Sequence, residues 1–302
     1  MKFVQIQTTS YCNARCIICP YKDSWMIKNP GVMSDELFEK ILRELTEWES
    51  ELNRGKLCPY LMNEPFCDKK LEDRVALIRE YLPSVPIEIS TNAELATKQR
   101  IEKLEESLAG TPHVYWISRH GITDEEIKRN MSIDPQRSER NILDLIEVVD
   151  GQAPIVIKGF LYSFDMKIAI SKPAKFVRIW KRKISDLNAR TDNVIVKALS
   201  FHDRSGNVNI EGWNKLKTVR RIGPRNRFYC PRVDQWLHIL WNGDLVLCCN
   251  DYHHETVFGN LSSNTIKEVL ASEAYKTLKK KVLGEIETEP DFICNRCTRI
   301  GG

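Results

Sequence analysis

Three cysteines within eight residues, Cys12, Cys16 and Cys19, follow directly on the apolar, strand-like start Phe3–Gln7. Three thiolates on so short a loop can wrap three irons of a 4Fe–4S cube and leave the fourth iron without a protein ligand. An open iron suits a cluster that activates a small molecule, whereas an electron-transfer cluster is usually closed by four cysteines. Structural zinc is the competing reading, but it wants four ligands and no histidine lies nearby to complete the set.

The surroundings of those cysteines in the chain support a metal reading. The start Met1-Lys2-Phe3-Val4-Gln5-Ile6-Gln7 is no signal peptide, and no apolar run approaches the ~18 residues a membrane span needs. The chain is therefore expected in the cytoplasm, where disulfides are rare and clustered cysteines bind metal or do chemistry. Of ten cysteines, eight fall in two groups: the three at the start, then Cys230, Cys248, Cys249, Cys294 and Cys297. Cys58 and Cys67 stand apart and read as small buried hydrophobes.

The 302 residues are 42% hydrophobic and 28% charged with a net charge of +4, ordinary for a globular protein. Two basic stretches, Lys175 to Lys183 and Lys215 to Arg227, read as the wet face of a helix, with Phe176, Ile179 and Trp180 inward, and as a linker. Nucleic acid is not expected as a partner.

Strand-like and helix-like segments alternate through the first two thirds. Phe3–Gln7, Leu57–Met62, Ile87–Ser90, Val114–Ser118, Ile155–Phe160 and Val194–Ala198 read as strands. Ser34–Glu49, Lys69–Tyr81, Lys98–Ser107, Asn141–Val149 and Ala174–Leu187 read as amphipathic helices. Ser34 is the expected N-cap of the first, with Leu37, Ile41, Leu42 and Leu45 on its apolar face. Six β–α repeats imply parallel strands with right-handed crossovers. The fold class is α/β: a partial (β/α)6 TIM-like barrel over 1–200, a linker over 201–228, and a small C-terminal domain over 229–302. In that domain Trp236–Leu240 and Leu245–Cys249 flank the hairpin turn Trp241-Asn242-Gly243-Asp244, and a helix follows over about Asn264 to Lys281. With little apolar sequence, this part is expected to need a metal staple to fold.

The Cys12-x3-Cys16-x2-Cys19 loop after a first strand resembles the signature of the radical S-adenosylmethionine superfamily. The resemblance implies that S-adenosylmethionine chelates the open iron of a 4Fe–4S cluster held by those three cysteines. Ile18 departs from the family's usual aromatic residue. Asn63-Glu64-Pro65 stands where the family carries its GGEP-like motif, so Glu64, with Asn63, is implied to hold the methionine amino group. Ser90-Thr91-Asn92-Ala93 resembles the STNG segment and Ser118-Arg119-His120-Gly121 the SIDG segment, which implies cofactor contacts from Ser90, Asn92 and Ser118.

Cys230-x12-Gly243-x4-Cys248 with Cys294-x2-Cys297 resembles the auxiliary-cluster domain of the SPASM/twitch branch, as do Phe258-Gly259-Asn260-Leu261. The resemblance implies a second 4Fe–4S cluster ligated by Cys230, Cys248, Cys294 and Cys297. Four cysteines would suit tetrahedral zinc equally well.

Cys249 is left over. Adjacent residues on a strand point to opposite faces, so if Cys248 faces the cluster, Cys249 faces away from it. A thiol there can give a hydrogen atom to a carbon radical. The whole pattern resembles the branch's aminoglycoside epimerases, which implies inversion at one carbon of a neomycin-class aminoglycoside during antibiotic biosynthesis, with Cys249 catalytic and an external one-electron donor. A radical dehydrogenase of an aminocyclitol or other sugar alcohol is the alternative. A polycationic substrate calls for carboxylates, yet Asp244, Asp251 and Glu255, near Cys249 in sequence, read as exposed turn residues.

Overall fold

In the computed structural model, residues 1–161, 166–199, 203–208, 219–220 and 230–299 are described. The chain divides into two compact units, each drawn from separate stretches: Met1–Tyr11, Ile18–Asn63 and His202–Gly302 form the first, and Cys12–Ile17 and Glu64–Phe201 the second. The expected linker over 201–228 falls mostly outside the described residues, as does the basic stretch Lys215 to Arg227.

All six expected barrel strands form: β1 Phe3–Ile6, β2 Lys56–Cys58, β3 Ile87–Thr91, β4 His113–Ser118, β5 Ile155–Gly159 and β6 Val194–Ala198. The C-terminal part adds β7 Val219–Arg220, β8 Trp236–Ile239, β9 Asp244–Val246, β10 Val257–Asn260 and β11 Thr298–Arg299. The longer helices are α1 Asp35–Leu45, α2 Leu71–Tyr81, α3 Lys98–Leu108, α4 Asp124–Met131, α5 Pro135–Val149, α6 Met166–Ser185, α7 Ile266–Ala271 and α8 Glu273–Leu283. The chain is thus mixed α/β with parallel strand pairing, as the alternating pattern predicts.

In the first unit the strand order is β10-β9-β8-β1-β2. Strand β1 pairs in parallel with β2 on one side and β8 on the other, Val4 lying opposite both Leu57 and Leu237. The C-terminal hairpin is therefore continuous with β1. Strands β8, β9 and β10 then run antiparallel, and the turn glycine Gly243 adopts φ 87°, where a Cβ would be strained. Val4, Ile6, Leu57, Leu237 and Ile239 are all fully or nearly fully buried.

The second unit carries β3-β4-β5-β6, all parallel. Ile87, Ile89, Tyr115, Ile117, Ile155 and Ile157 alternate onto one face and are fully buried. The opposite face carries Glu88, Ser90, Trp116, Ser118, Lys158 and Lys197.

Several helix details differ from expectation. Ser34 caps α1, its hydroxyl accepting from Leu37 N at 3.2 Å, but Phe38 takes the core position with Ile41, Leu42 and Leu45, while Leu37 is half-buried. Helix α4 escapes the periodicity reading because Thr123 and a run of acids open it and only Ile127 and Met131 are apolar and buried. The single C-terminal helix is two, α7 and α8, because Ser272 ends one in extended conformation and caps the next. On α6, Phe176 and Trp180 are buried and Ile179 is half-buried.

Candidate functional site

The loop from Cys12 to Ile17 is laced to the end of α4: Arg15 N donates to Met131 O at 2.8 Å and Ile17 N to Asn130 O at 2.9 Å. The Arg15 guanidinium folds back onto the Cys12 and Ala14 carbonyls, at 2.7 and 2.8 Å. Cys12 and Cys16 are half-buried against Ala14, Ile127, Met131 and Ile133. Two thiols on a backbone-fixed loop, walled on one side by apolar groups, suit the cube that the spacing implies.

The motif residues of the second unit converge on the same loop. Asn13, between the first two cysteines, accepts through Oδ1 from Asn92 Nδ2 at 3.0 Å and donates through Nδ2 to Glu94. Asn92 N donates to Glu64 Oε2 at 2.8 Å, and the Thr91 hydroxyl donates to Glu64 Oε1 at 2.5 Å. Glu64 is only 4% exposed. Burial lifts its carboxyl to about 7, against the lowering effect of those hydrogen bonds. Oε1 also accepts from Phe66 N at 3.3 Å, so Oε2 keeps the further lone pair at which a ligand ammonium would find a strong acceptor. In the first unit Asn63 Oδ1 accepts from Leu61 N at 2.9 Å, and its buried Nδ2 has no hydrogen-bond partner.

Cys67 corrects one expectation. It is half-buried, with its Sγ 3.9 Å from Asn13 Oδ1, and burial followed by the Glu64 charge pushes the thiol up to about 11. Cys58 is fully buried, as expected.

On the polar face of β3–β6, Lys158 and Lys197 stand over the Trp116 ring at 4.9 and 4.5 Å from its centroid, and Lys158 Nζ lies 3.3 Å from Ser90 Oγ. Ser118 is the strand partner of Lys158. His120 is buried and accepts through Nδ1 from Phe160 N at 3.1 Å. Spacing alone gave no sign of Trp116 and the two lysines, because their common face exists only once the strands are in register.

The first unit gathers the remaining cysteines. Cys230, Cys248 and Cys294 pack around one apolar cluster with Val233, Leu247, Val282 and Ile293. Arg232 feels the charges of Cys249, Cys248, Cys230 and Cys297, which hold its guanidinium protonated. Burial pushes the Cys248 thiol well above its ordinary range, so only a bound metal would keep it a thiolate. Three thiols on one buried apolar wall, with Cys297 in electrostatic reach of the same cation, are a donor set that fits an iron–sulfur cluster of net negative charge.

Cys249 keeps different company from Cys248. It lies within electrostatic reach of Arg232, Arg204 and Tyr252, and the last two also feel Cys19. Tyr252 is 5% exposed, and its hydroxyl is 3.5 Å from Cys19 Sγ. The expected strand Leu245–Cys249 ends at Val246, so Cys248 and Cys249 lie in the turn that follows it and strand alternation does not set their directions. Arg204, Arg232 and Tyr252 were not legible in the sequence; Tyr252, three residues after Cys249, offered proximity as its one signal.

Of the three acids near Cys249, Glu255 is exposed as expected, whereas Asp251 is buried and Asp244 half-buried. Asp251 is 1% exposed and its carboxylate accepts from Glu255 N, Thr256 N and the Thr256 hydroxyl at 2.5–2.8 Å. Asp244 accepts from Asn242, Asn260 and the His254 ring, and Glu255 pairs with Arg296. They hold the loop that presents Cys248 and Cys249.

Comparison with known proteins agrees with this arrangement. Residues 230–298 match the SPASM iron–sulfur cluster-binding domain. A 103-residue stretch, 34% of this chain and 40% of the relative, is 27% identical to the S-adenosyl-L-methionine-dependent 2-deoxy-scyllo-inosamine dehydrogenase of Niallia circulans, so the match spans less than half of that protein. Among solved structures, BtrN in complex with AdoMet and 2-DOIA has the same fold at 16% identity, covering 99% of this chain and 94% of that one with a TM-score of 0.64. Native anSMEcpe with bound AdoMet gives 0.61 at 14% identity over 92% of this chain and 82% of that one. SuiB of Streptococcus suis, bound to its precursor peptide SuiA, gives 0.58 at 13% identity over 98% and 70%. Residues 6–160, half the chain, match the radical SAM superfamily, and the chain belongs to that superfamily, with S-adenosylmethionine and iron–sulfur clusters as its cofactors.

Proposed function

We propose that the chain is a radical S-adenosylmethionine epimerase of aminoglycoside antibiotic biosynthesis, inverting C-5‴ of neomycin C to give neomycin B in the cytoplasm. The substrate rests on the resemblance of the whole cysteine pattern to neomycin C epimerase. The observation that supports the reaction type is the setting of Cys249, next to Cys248 and within electrostatic reach of Arg232, Arg204 and Tyr252, with the Tyr252 hydroxyl 3.5 Å from Cys19 Sγ.

Cys12, Cys16 and Cys19 would hold the first cluster, and Cys230, Cys248, Cys294 and Cys297 the second. Glu64, Asn63, Ser90, Asn92 and Ser118 are the proposed contacts to S-adenosylmethionine. When bound, these groups supply the 5′-deoxyadenosyl radical that removes one hydrogen atom from the substrate. Cys249 then gives its thiol hydrogen to the opposite face: the S–H bond breaks, a C–H bond forms, and a thiyl remains on Sγ. One electron from an external donor and one proton restore the thiol. Arg232 and Arg204 beside it favour that return, since a nearby cation stabilises the thiolate formed on reduction.

A second reading is supported by the similarity to the inosamine dehydrogenase: oxidation of an aminocyclitol alcohol, in which Cys230, Cys248, Cys294 and Cys297 would hold the one-electron acceptor for the substrate carbon radical, a proton would go to solvent, and no thiol hydrogen is needed. Anaerobic turnover of neomycin C in deuterium oxide, wild type beside Cys249→Ala, separates the two. The epimerase reading expects a monodeuterated epimer from wild type, and from the variant 5′-deoxyadenosine without epimer. Equal turnover in the variant, or a product short of two hydrogens, would favour the dehydrogenase.

A further inference from the structure

One layer of the first unit holds polar side chains with nothing to bond to. Gln5 and Gln7 of the β1 segment alternate onto the same face, and Gln5 lies opposite His238 of β8. Gln7 continues the ladder through its N–H to Ile239 O at 2.8 Å. These three side chains are 7%, 0% and 0% exposed. Gln5 Oε1, both polar atoms of the Gln7 amide and both ring nitrogens of His238 make no hydrogen bond, apart from a weak approach of the imidazole to the Leu247 backbone. Burial, and then the Arg232 charge, keep this imidazole neutral.

Of the neighbouring polar groups, the buried Thr8 hydroxyl is also without a partner, whereas Thr9 and Ser10 are paired within the fold. Thr9 Oγ1 donates to Gly31 O, and Ser10 Oγ accepts from Gly31 N. Buried polar groups in native proteins are nearly always paired, and an unpaired group points to a ligand, a catalytic role or bound water. Unpaired polar atoms on three adjacent buried side chains therefore point to a ligand.

Its chemistry is specific. Two amides and a neutral imidazole carry donors and acceptors but no charge, which matches hydroxyl groups, each both donor and acceptor. Beneath them lies an aromatic floor: Phe3 stacks on Trp236 at 4.6 Å, and Trp236 stacks on His238 at 5.7 Å with the planes 6° apart. Apolar or aromatic walls with a few convergent polar groups are the usual make-up of a small-molecule site. The position is apt as well. Gln7 precedes Cys12 by five residues, and His238 pairs across the hairpin with Val246, two residues before Cys248.

We propose that Gln5, Gln7 and His238 form a hydroxyl-reading shelf that binds the polyhydroxylated ring of the substrate over the Phe3–Trp236 floor. This deepens the sugar-substrate reading above and rests on it for the identity of the ring. The shelf selects for hydroxyls, because an analogue lacking one would leave buried groups unpaired.

The test uses the full reconstituted chain with S-adenosylmethionine, as wild type, Gln7→Met and His238→Phe. Melting temperatures without substrate are expected to stay level or rise, since the polar groups serve a ligand rather than the fold. Affinity for neomycin C, or for 2-deoxy-scyllo-inosamine, is expected to fall roughly tenfold or more in each variant, with S-adenosylmethionine affinity unchanged. A melting temperature lowered in both variants by more than about 5 °C, or unaltered affinity for the ring, overturns the shelf. If neither molecule binds wild type, the function proposed above falls, and titration with myo-inositol, a bare polyol ring, decides the shelf. Saturable binding to wild type and its loss in Gln7→Met keep the shelf, and no binding overturns it.

Discussion

The two cysteine sets are assembled in opposite ways. Cys12, Cys16 and Cys19 are neighbours in sequence, all within eight residues. Cys230, Cys248, Cys294 and Cys297 come from three separate segments, and the first three share one wall only because Val233, Leu247, Val282 and Ile293 pack into one cluster. A short loop pays little closure entropy to present three ligands, whereas the distant set needs a folded wall before any metal finds it. The first set is accordingly suited to an exposed, reactive iron, and the second to a staple that holds the fold.

The sharpest way to break that contrast is a single substitution in each set. Cys16→Ala should abolish S-adenosylmethionine cleavage while the C-terminal cluster stays, so iron per chain falls by about half and far-ultraviolet dichroism is unchanged. Loss of the C-terminal iron as well would mean that the two sets do not assemble independently. Cys297→Ala should instead act on stability. Losing a ligand of a metal that folds its own surroundings costs several kcal/mol, and hydrogen exchange should rise over α8 and Ile293–Arg296 while the β3–β6 sheet keeps its protection. Uniform loss of protection in both units would sink the staple role.

A smaller effect tests the network that anchors the first loop. Glu64 is raised from 4.5 to about 7 in the folded protein, so the native state holds this proton more tightly than the unfolded chain. The stability it contributes is fully present below pH 4.5 and is lost as the pH rises through about 7, a change of about 3 kcal/mol. Chemical denaturation across that window, without S-adenosylmethionine, should show the fall in wild type and a flatter profile in Glu64→Gln. Identical slopes would show that burial is not what sets this carboxyl.

Much of the barrel was legible because its signals are local. Alternating strands and 3.6-residue helices recur with short turns, and every expected strand of the first two thirds formed within a few residues. Helix α4 was missed because its wet face dominates its composition. Asp251 was misjudged because its burial depends on Thr256 folding back onto it, which no spacing announces. In the candidate site, Glu64 and Asn92 were singled out from motif order, while their link through Asn13 to the cysteine loop follows from where β3 ends.

By itself, then, the sequence determined the ligand types, the three-cysteine loop and the parallel βα repeats, because each depends on residues close together along the chain. Only the tertiary structure decided that the C-terminal hairpin joins β1 through β8. It alone set Arg232, Arg204 and Tyr252 around Cys249, and left Gln5, Gln7 and His238 buried without partners. These are long-range pairings, fixed by strand register and core packing.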